Sequence, residues 1–209
     1  MQRSVRFGLG TAGALAAALI LGEGPAFATD QLVTGKNLLI KNLSSGNKLV
    51  FLSKDPTISF GAGGTGESPV CGAIGGGGGR LHVSGTPGGD FVINLHCSGW
   101  SSVPGMYKYK DLTQATCTVV QAKDNTKVKA VCKGTQVDYA LGAAQSDVAV
   151  TLSTGSNGSP GVAWRYCAQF GAATSADVVK DGSDGKTYLA RNSDAPASCV
   201  ASPSGAFLD

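Results

Sequence analysis

The sequence predicts an all-β fold: an antiparallel β-sandwich, or a barrel-like form of one, with disulfides and little helix. Three observations carry this. Short β-prone runs follow one another along the 209 residues, separated by clusters of Gly, Pro, Asn, Asp and Ser. No segment beyond residue 28 keeps a helical period over three turns. All six cysteines lie beyond residue 70, an even count that suits disulfides in a small exported domain.

The elements follow in chain order. Arg3 and Arg6 precede a stretch of small apolar residues over 8–22, and then Ala26-Phe27-Ala28. This is the pattern of a secretory signal cut after Ala28, leaving one β-rich domain over 29–209. The uncharged stretch is shorter than the roughly 20 residues of a membrane span. No later stretch is apolar enough to span, and no Cys near the cut offers a lipid anchor. Secretion or periplasmic residence is therefore expected.

Two apolar runs, 36–41 (KNLLIK) and 48–53 (KLVFLS), flank the turn Ser44-Ser45-Gly46-Asn47. Residues 61–79 form a glycine-rich loop. It lacks the Lys-Ser/Thr of a phosphate-binding loop, and no helix follows, so a surface loop tethered by Cys71 is expected. Strands 80–84 (RLHVS) and 90–97 (DFVINLHC) surround Thr86-Pro87-Gly88-Gly89, and 106–110 (MYKYK) alternates tyrosine with lysine. Strands 117–122 and 127–133 surround Asp124-Asn125. Run 136–141 (QVDYAL) alternates as a strand does, and 147–153 and 162–169 flank Gly155-Ser156-Asn157-Gly158. Run 186–190 (KTYLA) follows Asp184-Gly185. One short helix fits 141–147 or 172–179. Without long crossover helices, the sheets should be largely antiparallel.

One disulfide follows from register. A two-residue turn at Asp124-Asn125 sets Cys117 opposite Cys132, Val119 opposite Ala130 and Gln121 opposite Val128, a mostly apolar face. Cys71–Cys97 and Cys167–Cys199 are expected only as sequential neighbours. Zinc is disfavoured, because no Cys-x-x-Cys or His-x-x-x-His spacing occurs.

Composition excludes several functions. Charged residues are 15% and the net charge is +3, spread along the chain, which offers no basic stripe for nucleic acid. The 31 glycines show no collagen period. No Gly-x-Ser-x-Gly elbow is present, and the two histidines, His82 and His96, read as strand residues. Asp55, Asp111, Asp124, Asp181 and Asp184 fall in turns, where Asp serves the backbone. KDGSDGK (180–186) departs from an EF-hand loop in its acidic spacing. No catalytic residue, metal or cofactor is expected.

Aromatics remain as candidates. Trp100 sits in a turn-like CSGWSS context and reads equally as core or as exposed, while Tyr107 and Tyr109 share one strand face. Exposed together, these three would form a platform for sugar rings. Trp164 and Tyr166 read as core.

The phrases KLVFLSKD, GMYKYKD, CTVV…KVKAVCKG, RYCAQFG and KDGSDGKTYLARN occur in that order. Through them the chain resembles a group of uncharacterised secreted proteins from myxobacteria and related environmental bacteria. The resemblance covers most of residues 29–209 and implies bacterial export and an accessory or surface role. It carries no catalytic residues. The expected function is an exported, non-enzymatic module with a binding or structural role, its partner a polysaccharide or another surface protein. A carbohydrate-binding module is the alternative, and a small hydrolase, with Asp and His meeting only in the fold, stands behind it.

Overall fold

Runs that alternate apolar and polar residues become strands with one buried and one outward side. The computed structural model describes residues 29–60, 68–72, 77–111, 116–155 and 164–201. The expected signal over 1–28, and residues 61–67 and 73–76 of the glycine-rich segment, lie outside the described residues.

The described residues form thirteen strands: β1 (Thr29–Leu32), β2 (Gly35–Lys41), β3 (Lys48–Ser53), β4 (Gly79–Thr86), β5 (Gly89–Leu95), β6 (Trp100–Val103), β7 (Met106–Tyr109), β8 (Cys117–Lys123), β9 (Lys127–Lys133), β10 (Asp147–Thr154), β11 (Trp164–Gly171), β12 (Asp177–Asp181) and β13 (Thr187–Ser193). They build a five-stranded sheet, β1-β11-β10-β4-β5, and an eight-stranded sheet, β12-β13-β2-β3-β9-β8-β7-β6. Every pairing is antiparallel except β1 with β11. The inward sides of both sheets share one apolar cluster. Across it, Phe51 of β3 meets Phe170 of β11 edge-on at 6.2 Å, and the Tyr188 hydroxyl of β13 donates to the Phe170 carbonyl at 3.0 Å.

The fold is thus the all-β sandwich that the sequence predicts, with three disulfides: Cys71–Cys97, Cys117–Cys132 and Cys167–Cys199. The one short helix expected forms at neither place. Residues 141–146 are irregular, and 172–179 becomes one 3-10 turn, Ala172–Thr174, followed by β12.

Two further expectations are corrected. The run 136–141 alternates in burial, with Val137 and Tyr139 inside, yet it is no strand. Side-chain amides replace a neighbouring strand: Asn47 Nδ2 donates to the Val137 carbonyl and Asn42 Nδ2 to that of Tyr139.

The β8–β9 hairpin turns over three residues rather than two. Asn125 takes φ of 51°, in the left-handed region, and Lys123 faces Lys127. The added residue puts Val120 opposite Ala130 and Ala122 opposite Val128, so these, not Val119 and Gln121, face the core. A bulge at Thr118 then takes one residue back and returns Cys117 opposite Cys132.

Candidate functional site

The three aromatics offered as a sugar platform are core residues. Trp100, Tyr107 and Tyr109 are only 5%, 9% and 4% exposed. The tyrosines lie on the inward side of β7. Trp100 folds against Tyr109, centroids 5.3 Å apart, and its Nε1 donates to the Leu95 carbonyl at 3.2 Å. Gly79 and Gly99 make the room: a Cβ on either would run into the Trp100 and Tyr109 rings respectively. Tyr107 alone keeps an edge toward solvent. It packs at a tilt against half-buried Phe60, centroids 4.8 Å apart, beside a recess of about 290 Å³ that also takes in the β6–β7 turn and Asp124. Tyr166 is core as expected, whereas Trp164, expected there too, is only half-buried, packed against the edge of the core.

The histidines separate. His96 lies just past β5, where its Nδ1 accepts from the Ser98 N–H and caps a short turn. His82, on the outward side of β4, is 3% exposed, and its Nε2 stands 3.5 Å from Asp90 Oδ1. Burial holds this imidazole below its usual range, Asp90 pulls it up, and neighbouring Arg80 pushes it down. A nucleophilic centre needs a hydroxyl or thiol on the imidazole. Among the described residues, Asp90 is the polar partner of His82. Thr151, opposite on β10, directs its hydroxyl at the Cys167 sulfur at 3.8 Å.

The carboxylates serve the backbone. Asp55 is buried, which alone would raise it, but hydrogen bonds from the Thr34 N–H and from the Thr57 hydroxyl and N–H hold it below the usual range. In the 180–186 loop, Asp181 accepts from the Ser183 N–H and Asp184 from those of Lys186 and Thr187, which lowers both. Among the described residues no group of three His, Cys, Asp or Glu is arranged to hold a metal ion, and no helix is long and apolar enough to cross a membrane.

The feature that stands out is the outward face of the eight-stranded sheet. Register places Lys133, Lys48 and Lys41 directly opposite one another on β9, β3 and β2. The next row is apolar and half-buried: Val119, Val131, Val50, Leu39 and Leu189, on five adjacent strands. A third row holds Lys108, Gln121, Lys129 and Leu52, and Lys123 faces Lys127 beyond it. β2, β3, β7, β8 and β9 contain no acidic residue. None of these lysines makes an ion pair among the described residues.

Neither protein-family models, nor curated proteins, nor solved structures give a match to this chain.

The lysine face shows that charge spread along the chain can still gather on one side of a sheet. The lysines are dispersed along the sequence, but every second residue of a strand points the same way and strand order sets the strands side by side. The local signal existed in KVKAVCK, whose lysines stand at alternate positions. Their alignment with Lys48 and Lys41 depends on pairings between distant strands.

Proposed function

We propose that the protein is an exported, non-enzymatic β-sandwich module that binds a partner at or outside the cell surface, secreted or in the periplasm. The observation that carries this reading is the open face of the large sheet, an apolar track between rows of lysine. Export is supported by the signal-like residues 1–28, by three disulfides and by the resemblance to secreted bacterial proteins. A carbohydrate-binding module is the second reading. It is favoured by this track and by the Phe60–Tyr107 recess, in place of the buried platform. A hydrolase has less support, since His82 meets a carboxylate without a nucleophile among the described residues.

The test has two readouts. Expressed in a bacterium with its first 28 residues, the protein should be exported, begin at Thr29 and hold no free thiol. Retention in the cytoplasm with reduced cysteines overturns the export reading. The purified protein should co-sediment with envelope polymers and lose that retention on Lys48→Glu. Equal retention of the variant takes the binding off this face, and absence of retention, or turnover of the polymer, overturns the binding reading.

A further inference from the structure

We propose that the outward face of the eight-stranded sheet binds an anionic polysaccharide laid across its strands. This rests on the binding reading above and names its ligand class. The first ground is the ladder Lys133–Lys48–Lys41. Like charges directly opposite in a sheet are destabilising, and here two such pairs are consecutive, while a third, Lys123 opposite Lys127, stands at the far end of β9. None of the three ammoniums is ion-paired to a carboxylate of the described residues, so the ladder costs the isolated fold stability, and a bound polyanion offsets that cost.

The second ground is shape. Neighbouring strands lie about 4.8 Å apart, close to the advance of one sugar ring in an extended chain. Successive carboxylates of a uronic-acid polymer can therefore meet successive lysines. The row of Val131, Val50, Leu39 and Leu189 lies alongside and suits the C–H faces of the rings. The third ground separates this ligand from other polyanions. Single-stranded nucleic acid relies on aromatic stacking, whereas Phe51, Tyr107, Tyr109 and Tyr188 of these strands are all buried inward. A lipid surface takes apolar side chains that insert, and those of this track are half-buried within the sheet face.

The experiment is titration of the exported protein with polygalacturonate, with neutral dextran and with vesicles containing phosphatidylglycerol. Polygalacturonate should bind, and the affinity should fall as salt rises. The triple variant K41Q/K48Q/K133Q should bind about tenfold more weakly, while its melting temperature holds or rises because repulsion is gone. Lys36→Gln, whose ammonium instead meets Asn192 at 2.7 Å, should bind as the parent does. Equal binding of dextran, or indifference to salt, overturns the anionic class and leaves the binding reading standing. Preference for the vesicles overturns the polysaccharide. A triple variant that melts lower and still binds overturns the ladder's role. Failure to bind any of the three probes overturns this proposal, while retention on envelope polymers tests the broader reading separately.

Discussion

In the eight-stranded sheet, burial alternates residue by residue along β3 and β9, the core on one side and lysine-rich rows on the other. In the five-stranded sheet, β4 and β10 are buried on both sides. The outward rows there are polar nonetheless: Arg80, His82 and Ser84 on β4, and Thr151 and Ser153 on β10. Alternation thus marks which side of a strand faces the core, but it leaves open whether the other side meets water. The small sheet hides polar groups that the large sheet would leave solvated, and only the large sheet offers a broad charged surface to a partner.

This contrast can be broken most sharply by adding the same charge to both outward faces. Thr151→Lys, between His82 and Cys167, should cost about 3–5 kcal/mol, as an unpaired buried charge does. Val131→Lys, in the corresponding position on the large sheet, should cost less than about 1 kcal/mol. Urea unfolding of the two variants checks both, and similar costs would erase the distinction. Next in size is removal of the Cys167–Cys199 bridge, which ties the C-terminal stretch to the outward side of the small sheet. The Cys167→Ser/Cys199→Ser variant should lose about 2–4 kcal/mol, read from the same unfolding curves.

A smaller effect is acid sensitivity. His82 is held below its usual value of 6.5 in the folded state, so the unfolded chain takes up its proton more readily. Its contribution is complete above about 6.5 and is lost as pH falls toward the folded-state value. Melting temperature against pH should slope less in that window for His82→Gln, and an unchanged slope would show that this imidazole is not the source. Smallest of all, Lys129→Gln on the large sheet should shift stability by no more than about 0.5 kcal/mol.

The strands of the large sheet were legible because β2, β3 and β9 carry clean apolar alternation between turn residues. β12 was not, since DVVKD is short, charged at both ends and bulged at Val179. QVDYAL alternates correctly, yet its Val137 and Tyr139 carbonyls accept from the side-chain amides of Asn47 and Asn42 rather than from a strand, which no local pattern reveals. Trp100 was ambiguous because its small neighbours suggest a turn, while the glycine that makes space for its ring, Gly79, lies 21 positions away in β4. The lysine face required strand order, a property of pairings such as Lys48 with Lys133, 85 positions apart, rather than of any window of sequence.

The bulge at Thr118 has a chemical consequence. In an unbroken strand Cys117 would point to the same side as Val119 and Gln121, toward solvent. The bulge turns it inward, and Cys117 and Cys132 are both fully enclosed. A reductant added to the native protein therefore reaches the Cys71–Cys97 bridge, whose Cys71 is exposed, well before it reaches this one. The hairpin bridge opens only when its strands part, so its thiols, trapped by alkylation over time, count molecules that have unfolded.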